Sequence, residues 1–369
     1  MRVLVVNAGS SSLKLSLLDE HDQLLLSSSL ASARGQVDES ELRAELERAG
    51  RIDAVGHRIV HGGSEFVEPV LIDEQVLRRL HALVDLAPLH QPKSLQALEL
   101  VSRILPDVPK VGCFDTAFHA RIPAAAATYA LPPEWRKRWD LRRFGFHGLS
   151  HAYASRRTAD LMRERLDGLR IVTCHLGAGA SLAAVERGVS VDTTMGFTPL
   201  EGLVMATRSG SLDPGLILWL EEHVRMPPSE LAATLEYRSG LLGLTGSADM
   251  QAILAAEQAG DADAALGIGV YLHRLRAGIA AMAAAMDGLD ALVFTGGVGE
   301  NATAIRARAV AGLGFLGVVL DPARNSSAEL DTEIGAEGAP VRAFAIHARE
   351  DLQIAHEVRD VLTDHNRSP

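Results

Sequence analysis

Two arginines could do chemistry that their surroundings do not explain. Arg58 lies inside Gly56-His-Arg-Ile-Val-His-Gly-Gly63, and Arg208 precedes a turn in Leu203-Val-Met-Ala-Thr-Arg-Ser-Gly-Ser211. A guanidinium in an apolar strand is costly unless an anion satisfies it. Taken singly, Arg58 reads as well as a salt bridge to a structural carboxylate, and Arg208 as a surface ion pair. Taken together, one arginine from each half is the clamp that phosphoryl transfer needs, because the charge spreads over three equatorial oxygens. Asn7-Ala-Gly-Ser-Ser-Ser-Leu-Lys14 adds a loop whose backbone N–H groups can approach an oxyanion. Alternation puts Ser10, Ser12 and Lys14 on one side of it. Its plain reading is a polar hairpin turn, and it lacks the GxxxxGK[ST] of a P-loop.

Asp115, in Phe114-Asp-Thr-Ala-Phe-His119, follows a strand. There a carboxylate can hold Mg²⁺, orient an arginine or cap the next helix. His147 and His151 stand four apart in Phe144-Gly-Phe-His-Gly-Leu-Ser-His151. With no HExxH glutamate and no third ligand, zinc is disfavoured. The flanking Gly145 and Gly148 instead place His147 in a turn, aimed at a substrate.

These residues need strands and turns to hold them. Val3–Val6 reads as a buried strand, Gly9–Ser12 as a turn, and Leu13, Leu15 and Leu17 as one face of a second strand. Ser40–Ala49, Asp73–Val84 and Pro92–Ile104 read as helices, and Asp53–Val60 and Val108–Phe114 as strands. The opening pattern recurs at Ile171–Val185, 168 residues after Val3. Two halves that each begin with strand, Gly/Ser turn and strand predict a duplicated α/β domain with a cleft between. A third glycine turn, Gly296–Gly299, follows the strand Ala291–Phe294, and Glu300-Asn-Ala302 opens a helix through Ala311. A long alanine-rich helix is expected from Asp263 to Met286.

Composition narrows the class. The chain has 369 residues, 47% hydrophobic and 22% charged, enough for two domains with ordinary cores. A net charge of -11 argues against a nucleic-acid binder. Cys113 and Cys174 are distant, with no CxxC, which fits a reducing compartment. Ala277–Met286 is about half the length a bilayer span requires. No signal-peptide core is present. The sequence reads as cytoplasmic, without nucleic-acid or membrane partners.

At this point the chain resembles the acetate kinases. The segments VLVVNAGSSSLK, VGHRIVHGG, LAPLHQP, FDTAFH, FGFHGLSH, HLGAGAS, DTTMGFTPLEGLVMATRSG, SGLLGLTG and FTGGVGENA carry the resemblance, in order, over nearly the whole chain. It implies two duplicated ribonuclease-H-like domains of the actin/Hsp70 type, at 1–117 with 352–369 and at 118–351. It also implies a homodimer and reversible phosphoryl transfer between ATP and acetate with Mg²⁺, or Mn²⁺ in its place.

By motif match, the resemblance makes Arg58, Asp115, His147 and Arg208 catalytic and gives Asn7 and Glu350 to the metal. Arg58, Val60, Leu89, His90, Phe146 and Pro199 would meet acetate. Ser10, Ser12, Lys14, His175, Leu176, Gly177 and Gly179 would meet the nucleotide, as would Asp249, Met250, Gln251 and Gly296, Gly297, Val298, Gly299, Glu300 and Asn301. The chain departs from the family pattern at Ala178, usually Asn, at Gln251, usually Arg, at Ala348-Arg349, usually Thr-Asn, and in a shortened stretch between Leu30 and Arg51. The rivals are a propionate or butyrate kinase and a non-catalytic nucleotide switch. The switch leaves Arg58, His147 and Arg208 without a purpose.

Overall fold

The computed structural model describes residues 1–9, 12–31, 37–87, 91–327 and 329–365. The expectations for Ser10, Leu89 and His90 fall outside them. The chain divides into two compact units: Met1–Ala120 with Phe146–Tyr153 and Arg349–Pro369, and Arg121–Gly145 with Ala154–Ala348.

Each unit is built on a six-stranded mixed sheet. In the first unit the strands are β1 (Val3–Ala8), β2 (Ser12–Leu18), β3 (Leu24–Ala31), β4 (Ala54–Ile59), β5 (Val70–Leu71) and β6 (Lys110–Phe114), in the order β3-β2-β1-β4-β6-β5. In the second they are β7 (Arg170–Leu176), β8 (Ala180–Glu186), β9 (Val189–Thr193), β10 (Ala291–Thr295), β11 (Thr332–Glu333) and β12 (Arg342–Ala345), in the order β9-β8-β7-β10-β12-β11. The two orders correspond strand for strand. Each is an antiparallel meander of three, then two parallel neighbours, then an antiparallel edge strand. The duplicated α/β architecture expected from the repeat is the architecture found.

Strand alternation explains the layers of the first unit. Leu4, Val6, Leu13 and Leu15 point to one face, where they meet Leu42 and Leu46 of the helix Glu39–Ala49 and Val101 of the helix Gln91–Ile104. Val3 and Val5 point to the other, against Ile354, Ala355 and Val358 of the helix Glu350–His365. That helix seats closely on β4, because a Cβ on Gly56 would fall 2.4 Å from Ile354 Cγ2. In the second unit the helix Ala262–Ala284 buries Ile268, Leu272, Leu275 and Ile279.

One expected element is corrected. The helix from Glu300 through Ala311 is two helices, Gly296–Asn301 and Thr303–Ala311, broken at Ala302 with φ -91° and ψ 76°. The first begins inside the glycine run because Gly296 takes a φ of +78°. Buried Arg306 fixes its end, donating from Nη1 to the carbonyls of Gly299 and Glu300 at 2.8 and 2.6 Å.

Candidate active site

In the first unit three parallel strands deliver their ends to one cluster. Arg58 of β4 donates from Nε and Nη2 to the two oxygens of Asp115, just past β6, at 3.0 and 2.7 Å. Its Nη1 donates to Asn7 Oδ1 of β1 at 3.1 Å. Glu350, opening the last helix, accepts from Asn7 Nδ2 at 3.1 Å and lies 3.6 Å from Arg58 Nε. The carboxyl ends of parallel strands are where α/β sheets bind ligands. Burial opposes the charge on Arg58, but Asp115 and Glu350 outweigh it and hold the guanidinium protonated well above its ordinary value. With both carboxylates ionised the cluster is net negative, a setting that favours a cation.

His147 adjoins this cluster. Its φ is +57°, in the left-handed region, and it immediately precedes the helix Gly148–Met162. The next residue, Gly148, donates its N–H to the Asp115 carbonyl at 2.9 Å, so the turn carrying His147 is tied to the strand end carrying Asp115. A non-glycine residue held there is strained by about 1–3 kcal/mol, a feature that clusters at functional sites. Phe146 packs its ring 5.4 Å from His61, and its carbonyl meets His119 Nε2 at 3.1 Å. Val60 is half-buried at the end of β4. Lys14 is exposed and pairs across the ladder with Asn7.

The second unit holds its arginine in a similar way. Arg208 Nε meets Glu236 Oε1 at 2.9 Å, and Nη1 donates to the Pro199 carbonyl at 3.2 Å. The Pro199 loop is itself clamped. Arg143 donates to the carbonyls of Thr194 and Met195 and to Glu201, and Glu201 accepts from the Tyr129 hydroxyl at 2.5 Å. Sequence reading missed Glu236, since a glutamate late in a helix looks like any solvated acid.

A cavity of about 600 Å³ also lies in the second unit. Gly177, Asp249, Met250, Gln251, Gly297, Val298 and Asn301 line it, with Ala178 beside them. That volume is in the range of small-molecule sites. Tyr271 and Leu254, not anticipated from the sequence, complete its apolar wall. Not every expected nucleotide residue faces this cavity. Glu300 turns its carboxylate to the N–H groups of Gly296 and Ala348 and to His347 Nδ1 at 2.8 Å, so it fastens the loop instead. Leu176 is fully buried in β7, and the Gly299 carbonyl is held by Arg306. Ser12 and Lys14 belong to the first unit.

Comparison with known proteins decides the family. The sequence pattern of the acetokinase family matches residues 35–356. The chain belongs to the acetokinase family. An acetate kinase of Gloeobacter violaceus is 42% identical over 97% of this chain and 98% of its own. The crystal structure of Porphyromonas gingivalis acetate kinase superposes with a TM-score of 0.89 at 34% identity, covering 98% of this chain and 99% of that one. A propionate kinase from Francisella tularensis superposes with a TM-score of 0.90 at 35% identity, with the same coverage. Asn7, Asp115 and Glu350, three of the residues singled out from the sequence, each contact Arg58 here. Ala178 and Gln251, where the sequence is expected to depart from the family pattern, both line the cavity.

Proposed function

We propose that the chain is an acetate kinase, moving the γ-phosphoryl of ATP reversibly onto acetate to give acetyl phosphate and ADP. The cluster of Arg58, Asp115, Asn7 and Glu350 carries this reading. An acetate oxygen forms the new P–O bond, the bond to the β-phosphate oxygen breaks, and ADP leaves with the electron pair. Arg58 and Arg208 neutralise the oxyanions. Asp115 fixes the plane of the Arg58 guanidinium, and His147 donates to the developing charge. The cavity lined by Asp249, Gln251 and Asn301 takes the adenosine.

The donor set fits a divalent ion that arrives with the nucleotide. Among the described residues no group of three His, Cys, Asp or Glu side chains could cage a metal. One carboxylate and one carboxamide, on Glu350 and Asn7, suit Mg²⁺ or Mn²⁺, since Mg²⁺ in particular keeps waters and leans on substrate phosphates. When bound, the ion offsets charge on the phosphate oxygens.

A homodimer agrees with the helix Pro214–Glu222. None of its nine residues is buried, and Leu216, Leu218 and Trp219 are 44%, 56% and 50% exposed. No helix among the described residues is long and apolar enough to cross a membrane, and we read the compartment as the cytoplasm. The Francisella relative favours one second reading, with propionate as the acceptor. Measuring ATP consumption with acetate, propionate and butyrate separates the readings. Consumption that ignores all three acids overturns both.

A further inference from the structure

We infer that Glu236 is the positioning residue of Arg208, setting which edge of its guanidinium meets the oxyanion and balancing its charge until substrate arrives. This rests on the reading above that Arg208 binds substrate.

Glu236 is the next-to-last residue of the helix Pro228–Tyr237 and is 8% exposed. Both circumstances are unfavourable. A helix C-terminus carries partial negative charge and repels a carboxylate, and burial strips water from it. The cation that offsets both is Arg208, 2.9 Å away, with its own side chain 18% exposed.

The backbone is arranged around this pair. Ser209 N–H donates to the Leu235 carbonyl, Ser239 N–H to Thr207 and Leu241 N–H to Met205, at 3.1, 3.0 and 2.9 Å. The Thr207 hydroxyl donates to the Glu236 carbonyl itself at 2.8 Å. Gly240 makes the stitch feasible. Its φ is +60°, and a Cβ there would fall 2.3 Å from the Met205 carbonyl oxygen. The segment bearing Arg208 and the helix end bearing Glu236 therefore form one rigid piece.

The result is an oriented guanidinium. Nε is taken by Glu236 and one Nη1 hydrogen by Pro199. Nη2 makes no hydrogen bond among the described residues, so its edge is left for an oxyanion. Without the carboxylate the fork can pivot about its stem, and its positive charge lacks an internal partner. The first change lowers kcat, and the second strengthens the grip on any anion.

The test is a double-mutant cycle on the full-length enzyme, assayed with acetate and ATP, with circular dichroism as the folding control. Glu236→Gln keeps an acceptor oxygen and loses the charge. It should lower kcat about 10–100-fold, the scale of losing a close charged partner. The KM for acetate should stay level or fall, and inhibition by inorganic sulfate should tighten. In an Arg208→Ala background Glu236→Gln should lower kcat no further, because its effect runs through Arg208. A native kcat in Glu236→Gln, or a further tenfold loss in the Arg208→Ala background, overturns the inference. Near-native turnover in Arg208→Ala overturns instead the substrate role on which it rests.

Discussion

Asp115 grips Arg58 with two parallel hydrogen bonds, 3.0 Å to Nε and 2.7 Å to Nη2, and its side chain is only 2% exposed. A bidentate pair fixes the guanidinium plane as well as its position, which a lysine cannot reproduce. Arg58→Ala should therefore reduce kcat about 10³-fold, and Arg208→Ala similarly. Arg58→Lys should recover little of the loss despite keeping the charge. Steady-state kinetics with circular dichroism decides this, and a folded Arg58→Lys enzyme of near-native kcat would contradict the assignment.

Val60→Ala should shift preference toward propionate. Removing methyl groups from a pocket wall makes room for one methylene, worth about 1–3 kcal/mol in discrimination. The measurement is the ratio of kcat/KM for the two acids, and an unchanged ratio places Val60 off the substrate.

Ala178→Asn with Gln251→Arg should tighten ATP binding or sharpen selection of ATP over GTP. Both residues line the 600 Å³ cavity, so the added groups reach it without displacing core. One hydrogen bond to a charged group is worth about 1.5–3 kcal/mol, readily seen by calorimetry. Unchanged dissociation constants for both nucleotides would show that other groups already supply these contacts.

Acid should destabilise the first unit before any carboxylate chemistry is reached. Burial lowers His57, helped by Lys110, to about 3, and it lowers His61 and His119 to about 4, from an ordinary 6.5. Between pH 6.5 and about 4 the unfolded chain binds protons at these sites and the folded one does not. Stability therefore rises with pH through that window and falls as pH drops through it. Each site contributes on the order of a few kcal/mol. The midpoint of thermal unfolding should fall between pH 7 and pH 5, and less steeply in His57→Met. A midpoint independent of pH over that range would refute this.

Much of this was readable because it rests on local patterns. Strand alternation in Val3–Leu17 and its echo at Ile171–Val185 foretell both sheets, since period-two burial leaves its trace in the residues themselves. Asn7, Arg58 and Asp115 announce themselves as polar groups where strands end. Glu236 and Arg306 leave no such trace. Each is a charged residue at ordinary helical spacing, and only tertiary contact shows that one holds Arg208 and the other caps a glycine helix through two hydrogen bonds while two more tie it to Asn325. The break at Ala302 leaves no trace for the same reason, as its cause is the Arg306 side chain folding back from the next helix onto the Gly299 and Glu300 carbonyls, and not a proline or glycine.

The helix Glu350–His365 belongs to the unit begun by β1, with 195 residues of the other unit, Ala154–Ala348, synthesised between. Order of emergence then becomes order of assembly. The first sheet leaves the ribosome with Val3, Val5 and Gly56 uncovered and must wait for its second cover, whereas the later unit has its own strands and helices complete beforehand. Glu350 arrives with that cover, so its contacts with Asn7 and Arg58 cannot form until the last helix has emerged and docked. Proteolysis of stalled nascent chains should find the second unit protected first, and early protection of the first sheet would rule this sequence of events out.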